Sequence, residues 1–145
     1  ADYIVVPSGS CTAMVTRHYK ELLPGDPRVD EVAARTFEFS TFLLEVLRVE
    51  DCGARFPAVV TYHDSCHALR ELQIHDGPRR LLKKVRELKL TEMDTSGDCC
   101  GFGGTFSVKF PEVSGSMARS KIDSILACGA EAVVSTDVSC LMQME

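Results

Sequence analysis

Long apolar runs are missing from this 145-residue sequence. The longest hold only a few residues, as in Phe42-Leu43-Leu44, far short of the roughly 20 that a membrane-spanning helix needs. No transmembrane segment is predicted. The stretch from Ala1 to Cys11 has neither the charged region nor the apolar region of a secretory signal, so a cytoplasmic location is expected. Positive charge is scarce too: 16 Lys and Arg stand against 21 Asp and Glu, a formal net charge of -5. That balance argues against broad attraction to nucleic acid or to an anionic membrane. Several catalytic signatures are also lacking. There is no Cys-x-x-Cys redox motif, and the dinucleotide-binding pattern of spaced glycines is broken where Phe106 stands. No Ser-His-Asp or paired-carboxylate arrangement stands out.

Cysteine is what the sequence does have, with 7 residues. The number is odd, and four of the thiols fall in loops after predicted strands or in a Gly-rich turn, which is unlike a disulfide framework and favours metal or redox chemistry. The focal stretch is Cys99-Cys100-Gly101-Phe102-Gly103-Gly104. Two soft donors share one short piece of backbone, and Gly101, Gly103 and Gly104 allow that backbone to turn and approach a bound group closely. Adjacent side chains diverge, so the pair needs thiolates from other loops. Cys66, Cys140 and Cys11 are the candidates.

The chain reads as one α/β unit with apolar content, 45% of residues, sufficient for a single core. Tyr3-Ile4-Val5-Val6 is a predicted buried strand, and Ser10 a predicted cap for a helix from Cys11 to Leu23. A helical pattern then spans Val29 to Val49, with a break near Ser40 and with Val32, Ala33, Phe39, Phe42, Leu43, Val46 and Leu47 facing the core. Phe37, Phe39 and Phe42 are expected to be structural. Cys52 lies in a polar linker. The second strand, Ala58 to Tyr62, ends in His63-Asp64-Ser65-Cys66-His67, so Cys66 takes the same strand-to-helix corner as Cys11. A helix bearing Leu69, Leu72 and Ile74 follows, then another from Arg79 to Leu88 whose Arg79, Arg80, Lys83, Lys84 and Arg86 are expected on a solvated face. Leu88 to Met93 is a weaker strand. A helix starting at Ser114 or Ser116, lined by Ala118, Ile122, Ile125 and Leu126 and closed by Gly129, leads to the last strand, Ala132 to Thr136. Asp137 to Cys140 is its exit.

Strands alternating with helices imply a Rossmann-like parallel sheet flanked by helices, with ligands beyond the carboxyl ends of the strands. All the candidate thiols leave strands at that edge. An internal echo accompanies this pattern: Val5-Val6-Pro7-Ser8-Gly9-Ser10-Cys11 is similar to Val133-Val134-Ser135-Thr136-Asp137-Val138-Ser139-Cys140, the trace of a duplicated unit.

Cys66, then Cys99-Cys100-Gly101, then Cys140, in this order, resembles the cysteine-rich CCG domain found in duplicate in heterodisulfide reductase and in the glycolate oxidase iron-sulfur subunit. Tyr62 to His67 with Arg70-Glu71-Leu72, Cys99 to Thr105 with Phe106-Ser107-Val108-Lys109, and Ser139-Cys140-Leu141-Met142 are most similar to the lactate utilisation branch of that family. The resemblance implies an iron-sulfur electron-transfer subunit serving oxidation of a 2-hydroxy acid such as lactate or glycolate, partnered by flavin- or iron-sulfur-containing oxidoreductase subunits. It implies that Cys66, Cys99, Cys100 and Cys140 hold a cluster, a [4Fe-4S] centre, with Cys11 and His67 as further candidate ligands. It also implies that residues 1–25 end one repeat, that 58–145 form a second, and that the chain belongs to a longer duplicated protein. The second cysteine of the motif's terminal pair is replaced by Gln143.

From the residues alone, four cysteines suit either a [4Fe-4S] cluster or one tetrahedral zinc in an interaction module. A thiol-disulfide protein using Cys99 and Cys100 is a third reading. Backbone N–H groups of the glycine turn would point at cluster sulfurs, with Phe102 and Phe106 as shields and Arg70 and Lys109 as compensating charge. One of His63 and His67 would sit just outside the ligand set.

Overall fold

In the computed structural model, which describes residues 1–145, two parallel sheets are flanked by helices, the expected α/β class. Strand β1 (Ile4–Val6) pairs with β2 (Thr36–Glu38), and β3 (Val59–Tyr62) lies between β4 (Lys89–Leu90) and β5 (Ala132–Val134). Every pairing is parallel. The expectation of a single sheet is therefore corrected to two.

β3 is central because its sequence suits burial on both faces. Val60 and Thr61 are fully buried and Tyr62 nearly so, and β-branched and aromatic residues pack well on a pleated surface covered from both sides. Register pairs Val60 with Ala132 and with Leu90. The carboxyl ends of β3, β4 and β5 consequently face the same way, and the chain leaves them towards Cys66, Cys99 and Cys140.

The first sheet departs from expectation. The helical pattern predicted over 29–49 is interrupted: a helix at Arg28–Arg35 gives way to β2, and helical structure resumes at Phe39–Thr41 and continues as a π-helical turn, Phe42–Val46. Side chains manage both junctions. The Thr36 hydroxyl donates to the Val32 carbonyl at 2.7 Å, while the Glu38 carboxylate accepts from the backbone N–H groups of Ser40 and Thr41. Glu38 thus caps the helix that resumes at the break predicted near Ser40. Three strand residues alter the helical phase, leaving Phe39 and Leu47 exposed instead of core-facing. β1 is exposed as well, with Ile4 36% and Val5 39% accessible, where a buried strand was predicted. Phe37 and Phe42 do play the structural part expected of them, packing with Tyr3 at centroid distances of 5.9 and 5.4 Å and with each other at 6.1 Å.

The first helix begins at Gly9, with Ser8 as its cap in place of Ser10. Gly9 sits against the start of the Cys66–Arg70 helix; a Cβ there would lie 2.7 Å from the Ala68 Cβ, so only glycine permits this approach. The long helix Pro111–Ala127 starts at the proline, suited to a first helical turn. Ser114 is buried inside it and does not cap it, and Leu126 is exposed. Cys100, Cys140 and Met144 form a buried cluster with Phe102, Ile122, Ile125, Val133 and Leu141 packed around it. Thiols occupy the core of this half of the molecule.

Candidate metal centre

β3 does not end its run of buried residues at Tyr62. His63, Asp64 and Ser65 continue it, all at least 98% buried, and the His63 N–H donates to the Val134 carbonyl at 2.9 Å, tying the exit of β3 to β5. The imidazole is thereby carried into the crevice beyond the strands. Ligand atoms of His63, Cys100 and Cys140 all lie within 4.8 Å of one another, and all three residues are buried. Neither ring nitrogen of His63 has a hydrogen-bond partner. A buried imidazole without partners is costly, and a soft metal between it and two sulfurs is the kind of ligand that relieves the cost.

The two sulfurs differ in charge state. Cys100 is held down to about 4, first by the Cys140 thiol and then, against the opposing effect of burial, by His63 and the Phe102 N–H. Cys140 is pushed up, because Cys100 already carries the charge and burial disfavours a second anion. One thiolate and one thiol share the site. Cys66 is half-buried, and burial pushes it up, with further upward pressure from the neighbouring Cys99 and Cys100. Cys99 accepts a 3.4 Å contact from the Gly101 N–H. The Gly-rich turn therefore does aim a backbone donor at a sulfur.

That turn needs glycine at Gly101, where φ is +91° and a Cβ would meet the Ser114 carbonyl oxygen at 2.7 Å. Ser114 fastens it in place: its hydroxyl donates to the Gly101 carbonyl at 2.9 Å and accepts from the Gln143 side chain at 3.0 Å. Gln143, where the family's motif has a cysteine, thus braces the turn from the helix that carries Cys140. Gly103 and Gly104 are exposed in the same turn, with φ of +52° and +58°. Phe102 packs against the thiol cluster, while Phe106 stacks on Phe110 at 5.5 Å.

Of the candidate ligands, Cys66, Cys99, Cys11 and His67 all lie outside the compact His63, Cys100, Cys140 group. Cys11 is exposed at the start of the first helix, outside the His63, Cys100, Cys140 group. His67 is an exposed side chain whose Nδ1 lies 3.5 Å from the Cys66 sulfur and whose Nε2 faces Glu71 at 3.6 Å. Of the two histidines bracketing Cys66, His63 is the one inside.

Arg79 corrects another expectation. It was read as part of a solvated face, yet it is buried, and its guanidinium makes a bidentate pair with Asp64 at 2.8 and 2.7 Å. It also reaches Glu92 at 2.8 Å and the His75 carbonyl at 2.9 Å, and it lies 5.0 Å above the Tyr62 ring. The fork thus joins the loop bearing His63 and Cys66 to the exit of β4. The charge count of the segment could not reveal this. Lys121 is likewise buried, and here the sequence held a signal, since helical spacing puts it on the same face as Ala118 and Ile125.

The model of the cysteine-rich CCG domain matches residues 60–145. The chain belongs to the CCG cysteine-rich domain family. Lactate utilization protein A of Exiguobacterium is 49% identical to this CCG chain over 148 residues, covering 99% of it and 60% of the relative. The proteins of the same name from Shouchella clausii and Lysinibacillus sphaericus are 46% and 42% identical, again over 99% of this chain and over 62% and 64% of their own lengths. The chain thus spans about three-fifths of the curated relatives it matches. No helix of this CCG protein is long and apolar enough to cross a membrane.

Proposed function

We propose that Cys66, Cys99, Cys100 and Cys140, with His63 beside them, hold an iron-sulfur centre, and that the protein carries electrons released in the oxidation of a 2-hydroxy acid, lactate first among them. The observation that carries this reading is the buried group of Cys100, Cys140 and partnerless His63 at the shared carboxyl edge of β3, β4 and β5. Such a cluster, when bound, supplies a one-electron redox centre. The chain's own residues do the rest. Cys100 is already a thiolate near neutral pH and is ready to ligate without losing a proton first. Gly101 directs its N–H at the Cys99 sulfur, a contact that stabilises added negative charge. Phe102 and Met144 keep water from the buried sulfurs. Arg79 and Asp64 tie the His63–Cys66 loop to the helix that carries Arg79 and, through Glu92, to the exit of β4.

Hydride removal from the hydroxy acid lies outside this site and falls to a flavin- or iron-sulfur-containing partner subunit. A cytoplasmic place for the complex, and a chain that is the later part of a duplicated protein, complete the proposal. A second reading rests on the compactness of the His63, Cys100, Cys140 group. Ligand atoms within 4.8 Å also suit one tetrahedral zinc. Anaerobic loading with ferrous iron and sulfide, in competition with zinc, separates the two. Iron and acid-labile sulfide in equal amounts, with an EPR signal on reduction, support the cluster; one zinc per chain and no iron uptake refutes it.

A further inference from the structure

A cavity beside the first sheet takes no part in the proposed centre. Its volume is about 210 Å³, and no cysteine lines it. Glu38, at the carboxyl end of β2, forms part of its wall. This carboxylate is 2% exposed and is held at one oxygen only. Oε2 accepts from the Ser40 N–H, the Ser40 hydroxyl and the Thr41 N–H, whereas the buried Oε1 has no partner. Such an acceptor is costly until a donor reaches it.

The rest of the wall narrows the choice of donor. Thr12, Thr16 and Thr36 line the same cavity, and each has already given its hydroxyl proton to a backbone carbonyl, of Ser8, Thr12 and Val32, at 2.8, 2.8 and 2.7 Å. Their oxygens keep only lone pairs to offer. Carboxylate and hydroxyl oxygens together make an acceptor surface, which suits an ammonium group with its three N–H donors. Arg17 supplies the opposite chemistry. It is an exposed lining residue on a π-helical turn, Met14–His18, an irregularity frequent at functional sites. Neither Arg17 nor Glu38 takes part in an ion pair. A free guanidinium disfavours a bare metal cation in this space and takes a carboxylate by its fork.

We propose that this cavity binds a small α-amino acid, its ammonium on Glu38 Oε1 and the threonine oxygens, its carboxylate on the Arg17 fork, and its side chain against Ala33, Leu72 and Ile74. The site goes beyond the electron-transfer reading and stands independently of it. Its walls nevertheless join the two halves of the molecule. Thr12 belongs to the helix whose start is held by the Asp137 carboxylate, through the Ser8 hydroxyl and the Ser10 N–H, and Asp137 is also the cap of the Cys140 helix. Leu72 and Ile74 follow the Cys66–Arg70 helix. An occupant therefore braces one sheet against the other, and binding raises the thermal midpoint.

The nitrogen-15-labelled chain is titrated by NMR with glycine, L-alanine and L-serine, and in separate series at constant ionic strength with propionate, ethylamine and potassium chloride. The expected result is saturable shifts of the Thr12, Thr16, Glu38 and Thr41 amides with at least one of the amino acids, at least tenfold weaker with propionate and with ethylamine, and absent with potassium. Arg17→Gln, at an exposed side chain, is expected to keep the thermal midpoint of the unliganded parent and to weaken binding at least tenfold. Glu38→Gln, which preserves side-chain volume, is expected to abolish it. No saturable shift with any of the three amino acids, ethylamine or potassium binding as tightly as they do, or binding unchanged in Arg17→Gln overturns the proposal. Failure of the iron-sulfur reading would instead show in iron loading, which this titration does not measure.

Discussion

Cys100 and Cys140 come from different strand exits, yet their sulfurs lie within 4.8 Å of each other, and a single negative charge is divided unequally between them. The inequality predicts a stability profile for the metal-free protein. In the unfolded chain both thiols titrate near their ordinary 9.0. Folded, Cys100 has lost its proton down to about 4, so between about 4 and 9 the unfolded state binds one more proton and stability rises with pH. Above 9 the folded state keeps the Cys140 proton that the unfolded state has lost, and stability falls again. Urea midpoints at pH 6, 8.5 and 10 are expected to peak at 8.5. Cys140→Ala should remove the decline on the alkaline side.

His63 and His67 should behave oppositely. His63→Ala removes a buried imidazole facing two sulfurs, and a loss of metal affinity of about 10–100-fold is expected, the scale at which residues supporting a metal site act. His67→Ala, at an exposed ring, should leave affinity within about twofold of the parent, below that scale. Competition with a chromogenic chelator measures both.

The Asp64–Arg79 fork is predicted to be a large stability element despite lying outside the ligand set. Removing one partner of a buried ion pair costs about 3–5 kcal/mol when the other charge is left uncompensated, and because Arg79 keeps Glu92 at 2.8 Å the cost here should fall below that range. Asp64→Asn should lower the urea midpoint accordingly. Loading of iron should fall with it at temperatures where the loop has loosened, and recover on cooling.

Gly101→Ala tests the turn. The positive φ alone costs about 1–3 kcal/mol for a side chain, and the new Cβ also collides with the Ser114 carbonyl. Destabilisation of at least that size and loss of iron binding are expected. Gly104→Ala also meets a positive φ, but nothing lies within 4 Å of its Cβ, so its effect should be confined to the backbone cost.

Which parts of this were legible in the sequence follows from where the information resides. Val59 to Tyr62 and Ala132 to Val134 are strands by local composition, and a cysteine shortly after each strand is a local fact, so the meeting of Cys100 and Cys140 was accessible from parallel topology, while Cys66 and Cys99 stay outside that group. β2 was hidden because the strand-favouring Thr36 and Phe37 make a run of only three residues with Glu38; their partner is β1, far off in sequence, and helical spacing on both sides masked the interruption. Arg79 was misread for the same reason. A charge reads as solvated until Asp64 is brought to it. Likewise, the sequence does not distinguish His63 from His67, because both flank the same cysteine, and only the buried continuation of β3 decides between them.

The measurement that bears most directly on the centre is iron K-edge X-ray absorption of the chain loaded anaerobically with iron and sulfide. The predicted result is a first shell dominated by sulfur, with iron–iron scattering behind it, and loss of both signals in Cys100→Ser and in Cys140→Ser. A first shell of oxygen and nitrogen without iron–iron scattering, or sulfur ligation that survives both substitutions, would contradict an iron-sulfur centre at these thiols.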